Sequence, residues 1–554
     1  MARGKMPLIL VLVVLLVAAG GLYSAYAFFD VFKSDKTVYL EAEAKEMQNF
    51  SEMIEEYNQK YNEYAKPYLE GAVEQKIELS NLTVDMQTTD PQEAKIMEIV
   101  KDAKVVVESK MDDKNKKNFL KADVNIKNNN VIGVEFFYDA EKLGFGVPAL
   151  YNKYGYFNWK DKAVIEQKYG IPGIPESIPS QKEYLDLIQI PKEELQPIMR
   201  EYAMLYADSI QNDQVSVKKN ATFEEAGVKM DAKEITVTFT PEQYKQLMKK
   251  MADKISKDQK LQDLLYPRYQ KLAELTASGS PEDLPKLSKE EFKKKFAEFK
   301  EEADRSIDNG EYGDGIKMIV YADKEDNILS RTIEMNDTKS GDKNTLKLVS
   351  FQDKENKDHV VFDVNTKKSD NMEEKVNIAY VNKKEGENCK GNVKFTVVDK
   401  TGSSTLTDVV AEADFAMTKE GNKQNQDVKV KINDNESGQS EPIVLSWKGT
   451  VTNNDKDKTR IADYKVEMSG PQDDPTMPKK ISLDMKSNEK FNVAGVKLPE
   501  LNAQNSINLA TMTDQQMMQI QQEIQQGSMQ FMMKNMALFQ QLGIIPADAG
   551  MMMP

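Results

Sequence analysis

Between residues 313 and 485 the chain alternates apolar and polar residues almost without a break. Representative runs are IKMIVYAD, ILSRTIEMN, TLKLVSF, KVNIAYVN, NVKFTVVD, DVKVKIND and ISLDMK. A period of two is the mark of a strand with one apolar face and one wet face. The connectors, such as DKEDN and DTKSGDKN, are short and charged and suit hairpins. This predicts ten or eleven antiparallel strands in sequence order. An up-and-down sheet of that width has to curl or close to hide its apolar face.

The first half mixes helix and strand. Leu40, Ala44, Met47, Phe50, Ile54, Tyr57, Tyr61 and Tyr64 recur at spacings of three and four, which is one stripe of a helix. Pro67 and Gly71 mark its end. The stripe suits packing on the protein's own sheet, or a coiled-coil partner. Strand-like runs follow at 77–86, 104–109, 119–126 and 131–138, and then the proline-rich loop GIPGIPESIP. Helices are predicted over 182–211. Two strands come next, then a helix from 241 to about 275, opened by a capping box at Thr240 and Gln243. TASGSPEDLP, at 276–285, is the best domain boundary. Ser288 with Glu291 and Thr513 with Gln516 start two further helices. The chain divides into an N-terminal segment at 1–30, a helix-plus-sheet domain at 31–279, a long meander at 280–500 and a Met/Gln-rich helical segment at 501–554.

Residues 6–29 carry no charge and follow Arg3 and Lys5. That is long enough to cross a bilayer as a helix, with the cations inside and the bulk extracytoplasmic. Leu8, Val13, Leu16, Leu22 and Phe28 would span. The alternative is a signal segment cleaved near Ala27, since Ala25-Tyr26-Ala27 has the small-x-small form.

Composition narrows the chemistry. The net charge of -15 and pI near 5.0 argue against a nucleic-acid partner, which needs a basic face. One histidine, His359, and one cysteine, Cys389, leave no internal disulfide and no histidine cluster for zinc or a catalytic triad. The chain has no nucleophile elbow, P-loop or dinucleotide fingerprint. The acidic loops at 306–315 and 433–438 read as solvated turns, with calcium as the alternative. No cofactor is expected. Met529, Met532, Met533 and Met536, with Phe539, cluster near the end of the chain. Thioethers there suit Cu(I), a packed helix, or a face toward a ligand or partner.

In layout the chain resembles a family of membrane-anchored envelope proteins of Gram-positive bacteria. The helix VYLEAEAKEMQNFSEMI, a KYGYFN-type segment, the long meander and the closing Thr-x-x-Gln helix carry that resemblance. Parts also look like the half-barrel of lipoprotein carriers and lipid-binding lipoproteins, although the lipobox cysteine is missing. The resemblance implies an apolar cavity between a curved sheet and helices, and no site residue. The resulting expectation is an α+β protein with an N-terminal transmembrane helix and two curved antiparallel sheets covered by helices. It would be non-enzymatic, tethered to a membrane, and would bind a lipid or other apolar ligand. An envelope scaffold for protein partners is the alternative, and an envelope hydrolase the third reading.

Overall fold

The computed structural model describes residues 34–86, 91–127, 129–171, 173–175, 178–275, 284–337, 339, 341–368, 372–402, 404–434, 441–471, 477–543 and 545. Helix α1 (Asp35–Glu70) comes first, capped by the Ser34 hydroxyl, which accepts from the Thr37 amide. β1 (Ala72–Asp85) and α2 (Pro91–Lys101) lead to β2 (Ala103–Asp112), β3 (Lys117–Ile126), β4 (Asn129–Tyr138), β5 (Lys142–Val147) and β6 (Tyr151–Asn158). Helices α3 (Lys162–Tyr169), α4 (Gln181–Ile188) and α5 (Lys192–Ser209) precede the hairpin β7 (Val215–Glu225) and β8 (Val228–Phe239). Next come α6 (Pro241–Lys257), α7 (Gln259–Leu275) and α8 (Lys289–Asn309).

The meander is eleven strands: β9 (Ile316–Ala322), β10 (Ile328–Asn336), β11 (Lys343–Gln352), β12 (Lys357–Lys367), β13 (Met372–Glu385), β14 (Asn388–Thr401), β15 (Ser404–Glu420), β16 (Lys423–Asp434), β17 (Ile443–Asn454), β18 (Thr459–Ser469) and β19 (Lys480–Val493). β20 (Ser506–Asn508), α9 (Asp514–Lys534) and α10 (Met536–Gln541) follow.

All the strands belong to one sheet. β7 through β19 pair in chain order, β19 pairs with β1, and β1 through β6 continue outward to β20. Every pairing is antiparallel except β20 on β6. This corrects the expectation of two sheets. β1 pairs along its whole length with β19, so two meanders far apart in sequence share one ladder. The helices expected over 182–211 are α4 and α5, separated before Pro191, which cannot continue a hydrogen-bonded helix. One helix prediction is corrected. The segment over 241–275 is broken at Asp258, whose carboxylate accepts from the Leu261 amide and starts α7.

The single-pass anchor, the membrane contact through it and the extracytoplasmic placement drawn from it are corrected as far as the described residues reach. No helix among the described residues is long and apolar enough to cross a membrane. The longest, α1, carries charged residues along its whole length. Leu8, Val13, Leu16, Leu22 and Phe28 lie outside the described residues.

The main core sits at the β8–β11 end. There Ile235, Val237, Met318 and Val320 pack against Tyr39 and Leu40 of α1, Tyr206 of α5 and Leu247 and Met248 of α6. At the same end β7 folds back over the opposite face, and its Phe223 ring lies 5.2 Å from Phe351 of β11.

The rest of the sheet is curved, and α1 shows by how much. Asn49 of α1 bonds Asn327 beside β10, and Tyr68 bonds Glu489 of β19. Those nineteen residues of helix span about 28 Å at 1.5 Å per residue. The nine strand spacings from β10 to β19 measure about 43 Å along the sheet. A chord shorter than its arc means that the sheet bends around the helix. Gly391 and Gly449 assist: Phe415 and Tyr464 lie so close over them that a Cβ would meet their ring atoms at 2.4 and 2.5 Å.

Candidate functional site: an apolar face beneath a spanning helix

Residues directly opposite in a ladder share a face. One row can be followed across seven strands, Leu348, Phe362, Ile378, Phe395, Ala411, Ile432 and Ile443, each opposite the next. A second row passes from Trp447 to Val466 and Leu483. A third continues from Met485 through Leu79, Val105 and Val124 to Ile132. These rows lie on one face of the sheet. The opposite face carries cross-strand charge pairs such as Lys448–Asp427, Lys76–Glu108 and Lys110–Glu74.

The apolar face is only partly covered. Val360, Ile378, Phe395, Ile432, Leu445, Val134 and Phe145 all point to it, and each is 36% to 44% exposed. Contiguous apolar surface of that kind marks a binding surface far more often than scattered exposed side chains do.

Helix α1 spans this face and is fixed at both ends. At its start the Tyr39 and Tyr206 hydroxyls bond at 2.9 Å, and Arg331 donates to Glu43 at 2.6 Å. Burial works against the Arg331 charge, but Glu43 and the nearby tyrosines outweigh it and hold its pKa above the ordinary arginine value. Burial, reinforced by Glu43, pushes the Tyr39 hydroxyl well up. At its far end Tyr68 donates to Glu489 at 2.8 Å, and Arg460 donates to the Tyr68 hydroxyl at 3.0 Å. The Arg460 guanidinium lies 5.0 Å from the Tyr64 ring centre and 5.4 Å from that of Phe491. Between these anchors Met53, Tyr57, Tyr61 and Tyr64 are exposed, and the Tyr57 and Tyr61 rings stack. Tyr57, Tyr61, Tyr64 and Tyr68 recur at helical spacing, so the rings continue the line that meets the sheet at Arg460. The middle of α1 thus stands off the sheet as a bar across a trough.

The residues singled out in the sequence lie elsewhere. Met529, Met532 and Met533 are exposed on α9, while Met536 and Phe539 are half-buried in α10, with the Phe539 ring 5.6 Å from Phe531. This pair of helices sits beside β6, away from the exposed apolar rows of β12–β17. His359 and Cys389 fall on opposite faces of the sheet and form no pair. The His359 ring stacks on Phe351 at 4.7 Å and bonds Asp353 at 2.9 Å. Among the described residues no three His, Cys, Asp or Glu side chains converge on a metal position. The loop at 433–438 lies mostly outside the described residues.

The anchors Arg331, Arg460 and Glu489 were not foreseen. Their signal is present in the sequence, because each puts a charge at an apolar-face position of an alternating strand. Only the position of α1 explains why.

No family model matches the chain, and no curated protein does. Among solved structures it has a remote likeness to OccK5 (OpdH) of Pseudomonas aeruginosa, at TM-score 0.24 and 7% identity over 76% of this chain and 98% of that one. The CymD monoaromatic hydrocarbon channel gives 0.21 and 7%, over 78% and 92%. The translocator domain of the autotransporter NalP from Neisseria meningitidis gives 0.17 and 5%, over 83% and 99%. Likeness at this level carries no argument about the chain. The distribution of polarity does: a lipid-embedded barrel turns its apolar residues outward and its polar ones inward. This sheet bends its apolar face inward, around α1, and turns its charge pairs outward.

Proposed function

We propose that this protein is a non-catalytic binder of an apolar, acyl-chain ligand, held in the trough between the curved sheet and α1. The observation that carries the reading is the unbroken apolar row from Leu348 to Ile443, part-exposed beneath a helix that stands clear of it. Each methylene moved from water onto such a face contributes about 0.8 kcal/mol, so a chain lying across several strands gains enough to offset the cost of its own ordering. Tyr57 and Tyr61 would line the other side of the chain.

Trp447 gives the test, since it is one of only two tryptophans and lies on the apolar face. The other, Trp159, is buried near β6 and bonds the Asp139 carbonyl. Oleate titrated into the full chain should shift the emission to the blue and saturate. Trp447→Phe should remove the shift, and Phe395→Lys should weaken binding. A titration without any shift, together with a clean unliganded mass after incubation with oleate, would reject the function.

A second reading, a scaffold that docks a protein partner, draws on the exposed Met518, Met529, Met532 and Met533 of α9. It predicts that binding of such a partner is lost when these methionines become lysines, with oleate binding unchanged.

A further inference from the structure

Helix α1 also meets α5 along one flank of its apolar stripe. Met47, Phe50 and Ile54 face Ile190, Leu195 and Met199 at the start of α5, and between them lies a groove of about 230 Å³. From Ile54, Asn58 and Asn62 step about 40° and 80° to one side around α1, and Tyr61 and Tyr57 about 20° and 60° to the other. The groove is lined by α1, α5 and Ile190 alone, with no strand residue and neither Tyr57 nor Tyr61, which sets it apart from the trough.

Two polar bridges join its two walls. Lys192 pairs with Glu55 at 2.9 Å, and the Gln189 side chain donates to Asn62 at 3.1 Å. A groove of about 230 Å³ has room for a small molecule and not for a helix or strand. A cavity of about 150 Å³ holds benzene, so in proportion about nine non-hydrogen atoms fit here. The lining sets the chemistry. Its floor is apolar, and Asn58, Gln59 and Gln196 on the wall make no side-chain hydrogen bond among the described residues. Of the charged lining groups Lys192 is already paired with Glu55, and the remaining one, Glu193, is acidic, which disfavours an anion.

We propose that this groove binds one small neutral amphiphile, an alcohol or amide with a short hydrocarbon or aromatic body. Its tail would lie on Phe50, Ile54, Leu195 and Met199, and its polar head would meet the amides of Asn58 and Gln59.

The test is calorimetric titration of the full chain with n-octanol, followed in parallel by Trp447 emission. The expected result is one equivalent bound with the emission unchanged. Leu195→Trp fills the floor and should weaken binding at least about tenfold. Asn58→Arg, at a half-exposed position that α1 tolerates, should do the same by closing the mouth, and it decides the matter if the tryptophan variant does not fold. Absence of binding heat overturns the proposal. So does binding that is unaltered in both variants, or binding that shifts Trp447, which would put the alcohol on the sheet instead.

Discussion

Replacing Glu43 by alanine tests whether the buried ion pair fixes α1 on the sheet. The Glu43 side chain is 1% exposed and that of Arg331 6%, and they meet at 2.6 Å. Loss of one member leaves the other charge buried without a partner, a cost of about 3–5 kcal/mol. The alternative open to the molecule is to lift the first turns of α1 and hydrate Arg331. A penalty of about 3 kcal/mol raises that open population on the order of 100-fold. Hydrogen exchange read by mass spectrometry should then show the amides of residues 38–50 exchanging on the order of 100-fold faster, with those of β13–β17 unchanged. The paired variant Glu43→Leu with Arg331→Met removes both charges, and such replacements are commonly neutral or stabilising by roughly 1–4 kcal/mol. Its exchange should return to the wild-type rate or below. The reasoning is refuted if Glu43→Ala exchanges like the wild type. It is refuted equally if the paired variant is as fast as the single one, since shape rather than charge would then hold the helix.

Two further outcomes follow from the same structure. Glu183 of α4 bonds Lys116 of the β2–β3 turn and Lys271 of α7. Burial opposes its charge, but the Ser180 amide and the two lysines outweigh burial and hold its carboxyl down to about 2, from an ordinary 4.5. A folded-state value below the unfolded one contributes stability above pH 4.5 that is lost as the pH falls toward 2. Pepsin cleavage within 181–190, normalised to a free peptide, should therefore rise through that window, and Glu183→Gln should flatten the profile. Gly527 lies inside α9, where helix propensity alone makes alanine stabilising by about 1 kcal/mol. A Cβ there would meet the Leu150 carbonyl oxygen at 1.9 Å, and backbone cannot give way. Gly527→Ala should loosen α9 and speed proteolysis within 513–543, whereas unchanged or slower cleavage would show that the contact is not tight.

Local structure was written in the sequence. The capping boxes at Thr240, Ser288 and Thr513 start α6, α8 and α9 because a side chain three residues on satisfies the open amides wherever the helix is placed. The eleven strands of the meander follow their alternation, since a period of two matches only a pleated backbone with one face buried. The stripe of α1 was also legible, although it does not end up packed along its length: Tyr39, Leu40 and Ala44 are buried and Tyr57 is exposed.

Partner choice was the work of tertiary structure. Nothing in the pattern of β1 states that its neighbour is β19, because any alternating strand can pair with any other. Contacts over that distance are selected by what the whole sheet must cover. The reading of two sheets failed for that reason. The same holds for the trough. Sequence alternation determined that an apolar face exists. That this face bends around one helix, pinned by Glu43–Arg331 at one end and by Tyr68–Glu489 with Arg460 at the other, was decided only when strands far apart in the chain brought those charges to the two ends of α1.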